Sequence, residues 1–175
     1  MIIIIFGLAA SGKTYVGKVL NSYFGIHHED ADRWLSQEMK EYIVGKKLFT
    51  LEMLEDFTLN IIANIEIIRE KHKNIVISQA LYRQKNRETI KKYFALKAPE
   101  EELIFLQINA NDDIIYKRLL SRGDWVFPEY ASSMKQFFEL MEDSEIIQNN
   151  REGEEDIINQ LNKIEAISNL ISSKE

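Results

Sequence analysis

The stretch Met1-Ile2-Ile3-Ile4-Ile5-Phe6-Gly7-Leu8-Ala9-Ala10-Ser11-Gly12-Lys13-Thr14 decides the fold. Its apolar run does not alternate with polar residues, so it reads as a strand covered on both faces, as in a parallel sheet. The run stops at Gly7, where a full G-x-x-x-x-G-K-[ST] string begins. From Lys13 to about Phe24, Val16, Val19, Leu20 and Phe24 recur at helical spacing. Strand, glycine loop and helix follow in the order that makes this string a phosphate-binding loop rather than an ordinary turn. Its glycines allow backbone N–H groups to close around a β-phosphate, and the helix offers its positive end to the same anion. The candidate nucleotide-binding residues are Gly7, Ala9, Ala10, Ser11, Gly12, Lys13 and Thr14. Lys13 is expected to reach the β- and γ-phosphates, and the Thr14 hydroxyl to take a place on Mg²⁺. The ligand this predicts is a nucleoside triphosphate.

Working outward, short apolar runs alternate with longer helical patterns, which predicts a three-layer α/β/α sandwich on a five-stranded parallel sheet. Strands are expected at 2–6, 26–29, 74–78, 103–108 and, at an edge, 145–148. Helices are expected at 13–24, 33–44, 51–72, 83–96, 111–121, 131–141 and 154–171. The reading is one domain over 1–171, with a lid at about 122–130 and a frayed tail at 172–175. A chain of 175 residues that is 45% hydrophobic can bury a sizeable core. A net charge of −6 argues against a nucleic-acid or anionic-lipid partner, and zero cysteines exclude disulfides and thiolate chemistry. His27, His28 and His72 show no metal-ligand spacing. The opening apolar run is too short to span a bilayer and lacks a basic start, so a cytoplasmic location is expected.

Three further features bear on chemistry. Asp30 and Asp32, two apart in an extended segment, point to one side beside the loop. One can support Mg²⁺ while the other accepts a hydrogen bond from a substrate hydroxyl; the plainer reading is that Asp32 caps a helix beginning at Arg33. Arg118 and Arg122 share a helical face ahead of Gly123 and an irregular stretch to Pro128. A lid arginine arriving on closure stabilises a transferring phosphoryl group, whereas two solvated arginines do nothing of the kind. Gln148-Asn149-Asn150 forms a turn near the end of the crevice where a purine could rest. No N-K-x-D guanine-reading motif stands on a late strand, and the third and fourth strands lack the terminal acid of motor ATPases.

Taken in order, GLAASGKT, Asp30-x-Asp32, Arg118…Arg122 and Gln148-Asn149 resemble the small phosphate-loop kinases that include shikimate kinase and, more closely, gluconate kinase. Gly45-Lys46-Lys47-Leu48-Phe49-Thr50 is similar to the G-x-P-L-T segment of the latter, and Gln79-Ala80-Leu81-Tyr82-Arg83 to its S-A-L-K-R. Arg122-Gly123-Asp124-Trp125-Val126-Phe127-Pro128 is similar to its lid, and Gln136-Phe137-Phe138-Glu139-Leu140-Met141-Glu142 to its Q-F-E-x-L-x-E helix. The resemblance implies ATP- and Mg²⁺-dependent phosphorylation of a hydroxyl on a small polar metabolite, a gluconate-like sugar acid being favoured; a monomer or homodimer is expected. It assigns Asp32 to the acceptor hydroxyl and leaves Asp30 with Thr14 for the metal. It places Arg122 on the transferring phosphoryl group and, with Asn149 nearby, Arg118 against adenine. The acceptor pocket falls between the helices of 33–72 and the turn at 79–83. There Arg83, with Arg87 behind it, would bind a substrate carboxylate, although a solvated basic face fits these two equally. Three departures all lie on the acceptor side: no D-x-D-R-x-P-W-L string follows Thr50, the lid histidine is replaced around Asp124-Trp125, and Tyr82 stands where lysine does. These leave room for a nucleoside or nucleotide kinase, with Trp34, Tyr42 or Trp125 stacking a base, or for a non-catalytic ATP-binding regulator.

Overall fold

The computed structural model describes residues 1–122 and 128–172. The centre of the expected lid, residues 123–127, the Arg122 side chain and the final residues 173–175 lie outside the described residues. In chain order the elements are β1 (Ile2–Phe6), α1 (Lys13–Phe24), β2 (His27–Asp30), a 3-10 turn (Ala31–Trp34), α2 (Gln37–Val44) and α3 (Leu51–Arg69). They continue as β3 (Ile75–Ser78), α4 (Gln84–Lys97), β4 (Leu103–Asn109), α5 (Asp112–Arg122), α6 (Pro128–Lys135), β5 (Glu145–Gln148), α7 (Glu155–Leu161) and α8 (Glu165–Ser172).

The five strands run parallel in the order β2-β3-β1-β4-β5, so β1 is central and β5 lies at an edge. Pleating splits β1 between two cores. Ile2, Ile4 and Phe6 face Phe57, Ile61 and Ile65 of α3 and Ile90 and Phe94 of α4. Ile3 and Ile5 face Val16, Val19 and Leu20 of α1 with Ile157, Leu161 and Ile167 of the last two helices. Each of these isoleucines is almost wholly excluded from water, a contribution of about 1.5–3 kcal/mol apiece before conformational entropy is counted. Parallel register brings the C-terminal ends Asp30, Ser78, Asn109 and Gln148 to the sheet edge from which the glycine loop leaves β1. No helix among the described residues is long and apolar enough to cross a membrane.

Three expected helices are corrected. The one anticipated at 33–44 is broken, because Asp30 caps the short turn at Ala31–Trp34 and Leu35 is extended. Ser36 then accepts a hydrogen bond from the Met39 N–H and starts α2 afresh. The helix anticipated at 131–141 starts at Pro128 and stops at Lys135. Leaving the helix lets Phe138 stack on Phe6, with ring centroids 6.2 Å apart, and lets the Glu139 N–H donate to the Tyr82 carbonyl at 2.9 Å. The terminal helix is two helices, separated at Asn162, Lys163 and Ile164. Periodicity runs through all three breaks, so spacing alone does not reveal them.

Candidate functional site

The loop after β1 is held in a shape that side chains oppose. Gly7 has φ +150°, and a Cβ there would lie 2.5 Å from the Ile108 carbonyl oxygen. Gly12 has φ +100°, and a Cβ there would lie 1.9 Å from the Asn149 Nδ2. Both glycines are therefore required by close approach as well as by dihedral. Ala10 takes the left-handed conformation between them, at φ 61°. It packs with Leu119 of α5 and Ala131 of α6, which seats the loop against those helices. Gly12 is the N-cap of α1 with no side-chain cap, and the helix has no acidic residue of its own in its first turn, so the positive end of α1 lies at the loop. Lys13 folds back over the loop, its Nζ donating to the Leu8 carbonyl at 2.8 Å.

The structure brings Asp30 against the start of α1 and places Asp32 on the wall of the same cavity. The Thr14 hydroxyl donates to Asp30 Oδ2 at 2.7 Å, which sets two hard oxygen donors side by side. The other Asp30 oxygen accepts the Asp32 N–H at 3.1 Å, so the capping anticipated for Asp32 falls to Asp30. The Asp32 carboxylate lines the cavity, where Gln79 Nε2 donates to its Oδ1 at 2.9 Å. Gln79 is itself fixed, because its side-chain oxygen accepts the Ala80 N–H. Thr14 and Asp30 fit Mg²⁺, an oxygen-seeking ion that keeps most of its coordination for water and phosphate. No cluster of three or more carboxylate, histidine or cysteine ligands occurs among the described residues.

Asn149 and Arg118 bind the loop to the far end of the sheet. Buried Asn149 donates its Nδ2 to the Ser11 carbonyl at 2.8 Å, and its backbone N–H donates to Asn109 at 2.8 Å. Arg118 donates to the carbonyls of Ser11 at 3.2 Å and Asn149 at 3.1 Å. Burial lowers the pKa of its guanidinium, an effect partly offset by Tyr15. Arg118, assigned to adenine from sequence, thus has its donors turned to the loop while its side chain lines the cavity. Gln160 of α7 completes this end by pairing both its amide atoms with the Gln148 backbone, at 2.8 and 2.9 Å. The Arg122 side chain lies outside the described residues.

One cavity of about 520 Å³ connects these groups. One wall comes from Gly12, Lys13, Thr14, Tyr15, Arg118, Asn149 and Arg151. The other comes from Asp32, from α2 and α3 through Ile43, Leu54, Phe57 and Thr58, and from the segment after β3 through Gln79, Leu81 and Tyr82. Asn86 of α4 and Tyr130 and Met134 of α6 close it. This is where the resemblance placed an acceptor, between 33–72 and 79–83. Thr58 and Asn86 went unnoticed in the sequence, although a threonine and an asparagine on otherwise apolar helical faces are the available signal. Burial raises the pKa of Tyr130, helped by Tyr82 and Asp32, and raises that of Tyr82 against the opposing pull of Arg83.

The two arginines assigned to a substrate carboxylate are elsewhere. Arg87 is completely buried, with its guanidinium 4.4 Å from the centre of the Phe6 ring. It donates to the carbonyls of Leu81, Glu139 and Leu140, and burial pushes its pKa down to about 10. It is neither a substrate ligand nor part of a solvated basic face. It holds the turn at Leu81, whose φ of 40° is unusual for a leucine. Arg83 pairs with Glu139 at 3.3 Å and lies over Phe137, outside the cavity wall. Trp34 packs against the α3 side of the core and Tyr42 lies under Lys47, so neither lines the cavity. Trp125 lies outside the described residues.

The sheet order, the glycine loop and the helix that follows it define the fold of the P-loop kinases. No protein-family model and no curated protein sequence matches the chain. Solved structures do match in fold. A sugar kinase from Janibacter sp. HTCC2649 is 19% identical with a TM-score of 0.77, covering 95% of each chain. A gluconokinase from Sinorhizobium meliloti 1021 is 16% identical with a TM-score of 0.77, over 99% of this chain and 97% of that one. The APS kinase CysC of Mycobacterium tuberculosis, solved with AMPPNP and APS, is 12% identical with a TM-score of 0.65 over 96% of each chain. At these identities the likeness is one of fold, and it is the fold that the sequence resemblance implied.

Proposed function

We propose that this chain is an ATP-dependent phosphotransferase acting on a hydroxyl group of a small molecule. The observation that carries the reading is the placement of Asp32. Its carboxylate is oriented by Gln79 and lines the same cavity as Lys13 and the Thr14–Asp30 pair. Phosphoryl transfer asks chiefly for positioning and charge neutralisation, and these groups supply both. The acceptor hydroxyl donates its hydrogen bond to Asp32, its oxygen attacks the γ-phosphorus, and the bond to the β-phosphate oxygen breaks to release ADP. The proton passes to the Asp32 carboxylate. Lys13 and the N-terminus of α1 balance charge on the phosphates, and Arg122 is assigned the transferring group on its sequence position alone. Thr14 and Asp30 would hold Mg²⁺, whose chemistry there is neutralisation of the phosphate oxygens.

A gluconate-like sugar acid is the acceptor the sequence resemblance favours, but Arg83 and Arg87 do not line the cavity to receive its carboxylate. A coupled ADP-release assay across sugar acids, sugars, shikimate and nucleosides tests the reading. Acceptor-stimulated turnover is expected, and Asp32→Asn should lower kcat about a hundredfold or more while leaving MgATP affinity near wild type. Tight ATP binding with no stimulation by any acceptor would contradict it.

A further inference from the structure

We infer that the acceptor is an uncharged alcohol with an apolar or aromatic body, of the nucleoside type, and not a sugar acid. This rests on the kinase reading above and narrows its substrate. The first observation is where the charges stand. Among the described residues lining the cavity, the cationic ones are Lys13, Arg118 and Arg151, all on the wall built by the loop and the turn after β5. The acceptor wall has none among the described residues. Its one ionic group among the described residues is the Asp32 carboxylate, and Tyr82 and Tyr130 are neutral phenols whose pKa burial raises further. A carboxylate placed here would lose its water, find no cation and face the negative charge of Asp32. Burying an unpaired anion is strongly unfavourable, so such a site rejects it.

The second observation is the direction of the polar groups. Asn86 Nδ2 donates to the Leu54 carbonyl at 3.1 Å and to Thr58 Oγ1 at 2.8 Å. Thr58 spends its own proton on that same carbonyl, at 2.7 Å. Both partners can only accept, so the amide cannot be turned around, and the Asn86 carbonyl oxygen is the atom left over. It has no partner among the described residues, and Asn86 lines the cavity. An acceptor oxygen asks for an O–H or N–H from the substrate and repels a carboxylate. The third observation is the surrounding surface. Ile43, Phe49, Leu54, Phe57 and Met134 present aliphatic and aromatic faces where a fully hydroxylated chain would leave its hydrogen bonds unmade. A flat, uncharged ring bearing one or two N–H or O–H groups satisfies all three conditions, with its reacting hydroxyl toward Asp32.

The test uses the intact wild-type protein in two assays. In the first, kcat/KM is measured with Mg²⁺ and ATP for gluconate and shikimate as anions, glucose as an uncharged polyol, and thymidine and deoxyadenosine as uncharged ring-bearing alcohols. In the second, the melting temperature of protein saturated with Mg²⁺ and ADP is followed as each compound is added. The nucleosides are expected to raise the melting temperature and to exceed both anions in kcat/KM by about a hundredfold or more, a lower bound for a site whose buried polar groups the wrong substrate leaves unpaired. Turnover of gluconate or shikimate as good as that of the nucleosides would overturn the inference and leave the kinase intact. A nucleoside-specific rise in melting temperature without turnover would sustain the assigned pocket and refute the kinase reading. Absence of any rise with the uncharged ring compounds would overturn the inference.

Discussion

Arg87 offers a sharp test of how the acceptor wall is built, because its two readings predict opposite observables. As a structural cation it donates three hydrogen bonds to carbonyls and stacks over Phe6. Charge-assisted bonds of this kind contribute about 1.5–3 kcal/mol each, and a desolvated cation–π contact about 2 kcal/mol. Against this stands the cost of burying the charge. Burial lowers the pKa of the Arg87 guanidinium to about 10, a shift that corresponds to about 3 kcal/mol. In Arg87→Met the burial cost disappears along with the bonds, while the carbonyls of Leu81, Glu139 and Leu140 are left without a donor. The loss expected is about 3–5 kcal/mol, the range typical of removing one partner from a buried charged set, which lies at the low end of what these contributions add up to. In a domain of this size each kcal/mol is worth about 2–4 °C, so Tm should fall by about 6–20 °C. Urea denaturation followed by circular dichroism, with a thermal scan in parallel, reads both quantities. Stability within about 1 kcal/mol of wild type, together with a raised KM for an anionic acceptor, would refute the structural role.

Three further outcomes are expected. Gly12→Ala forces a side chain into a left-handed position and onto Asn149, so it should cost about 2–4 kcal/mol of stability and weaken MgATP binding at least tenfold by calorimetry. Gln79→Leu removes the donor that orients Asp32, and kcat should drop about tenfold with MgATP affinity unchanged; a loss of ATP affinity instead would mean that Gln79 acts through the loop. Burial holds the His28 pKa below its ordinary 6.5, outweighing the attraction of Asp30 and Glu29. The unfolded chain therefore binds a proton more readily, and stability should fall as pH drops through 6.5 and level off once the folded imidazole is protonated. His28→Asn should flatten that dependence in thermal melts at pH 5.5 and 7.5.

The opening fourteen residues were the most legible part of the chain because each signal in them is local. A both-faces-buried strand needs an unbroken apolar run, and a loop wrapped on an anion needs glycine where φ is positive. The same is true of Asp30, which ends its strand and accepts a hydrogen bond from Thr14. What sequence could not show was decided by distant packing. Arg83 and Arg87 look alike on paper, four residues apart on one basic helix. Phe138 and the carbonyls around Glu139, more than fifty positions away, draw Arg87 inward, while the Glu139 carboxylate keeps Arg83 at the surface. The helix anticipated through Phe137 ended early for the same reason, since only an irregular segment can stack Phe138 on Phe6 and present two carbonyls to Arg87. Asn149 was expected near the base of the nucleotide, yet its amide nitrogen packs under the loop and helps make Gly12 obligatory.

Isothermal titration calorimetry of MgATP into the wild-type protein and into Lys13→Ala tests the central claim most directly, namely that the bend between β1 and α1 holds a triphosphate. The expected result is one binding site per chain in wild type, with affinity reduced at least tenfold, about 1.4 kcal/mol or more, in the variant. No heat of binding to wild type, or equal affinity in both proteins, would contradict the account.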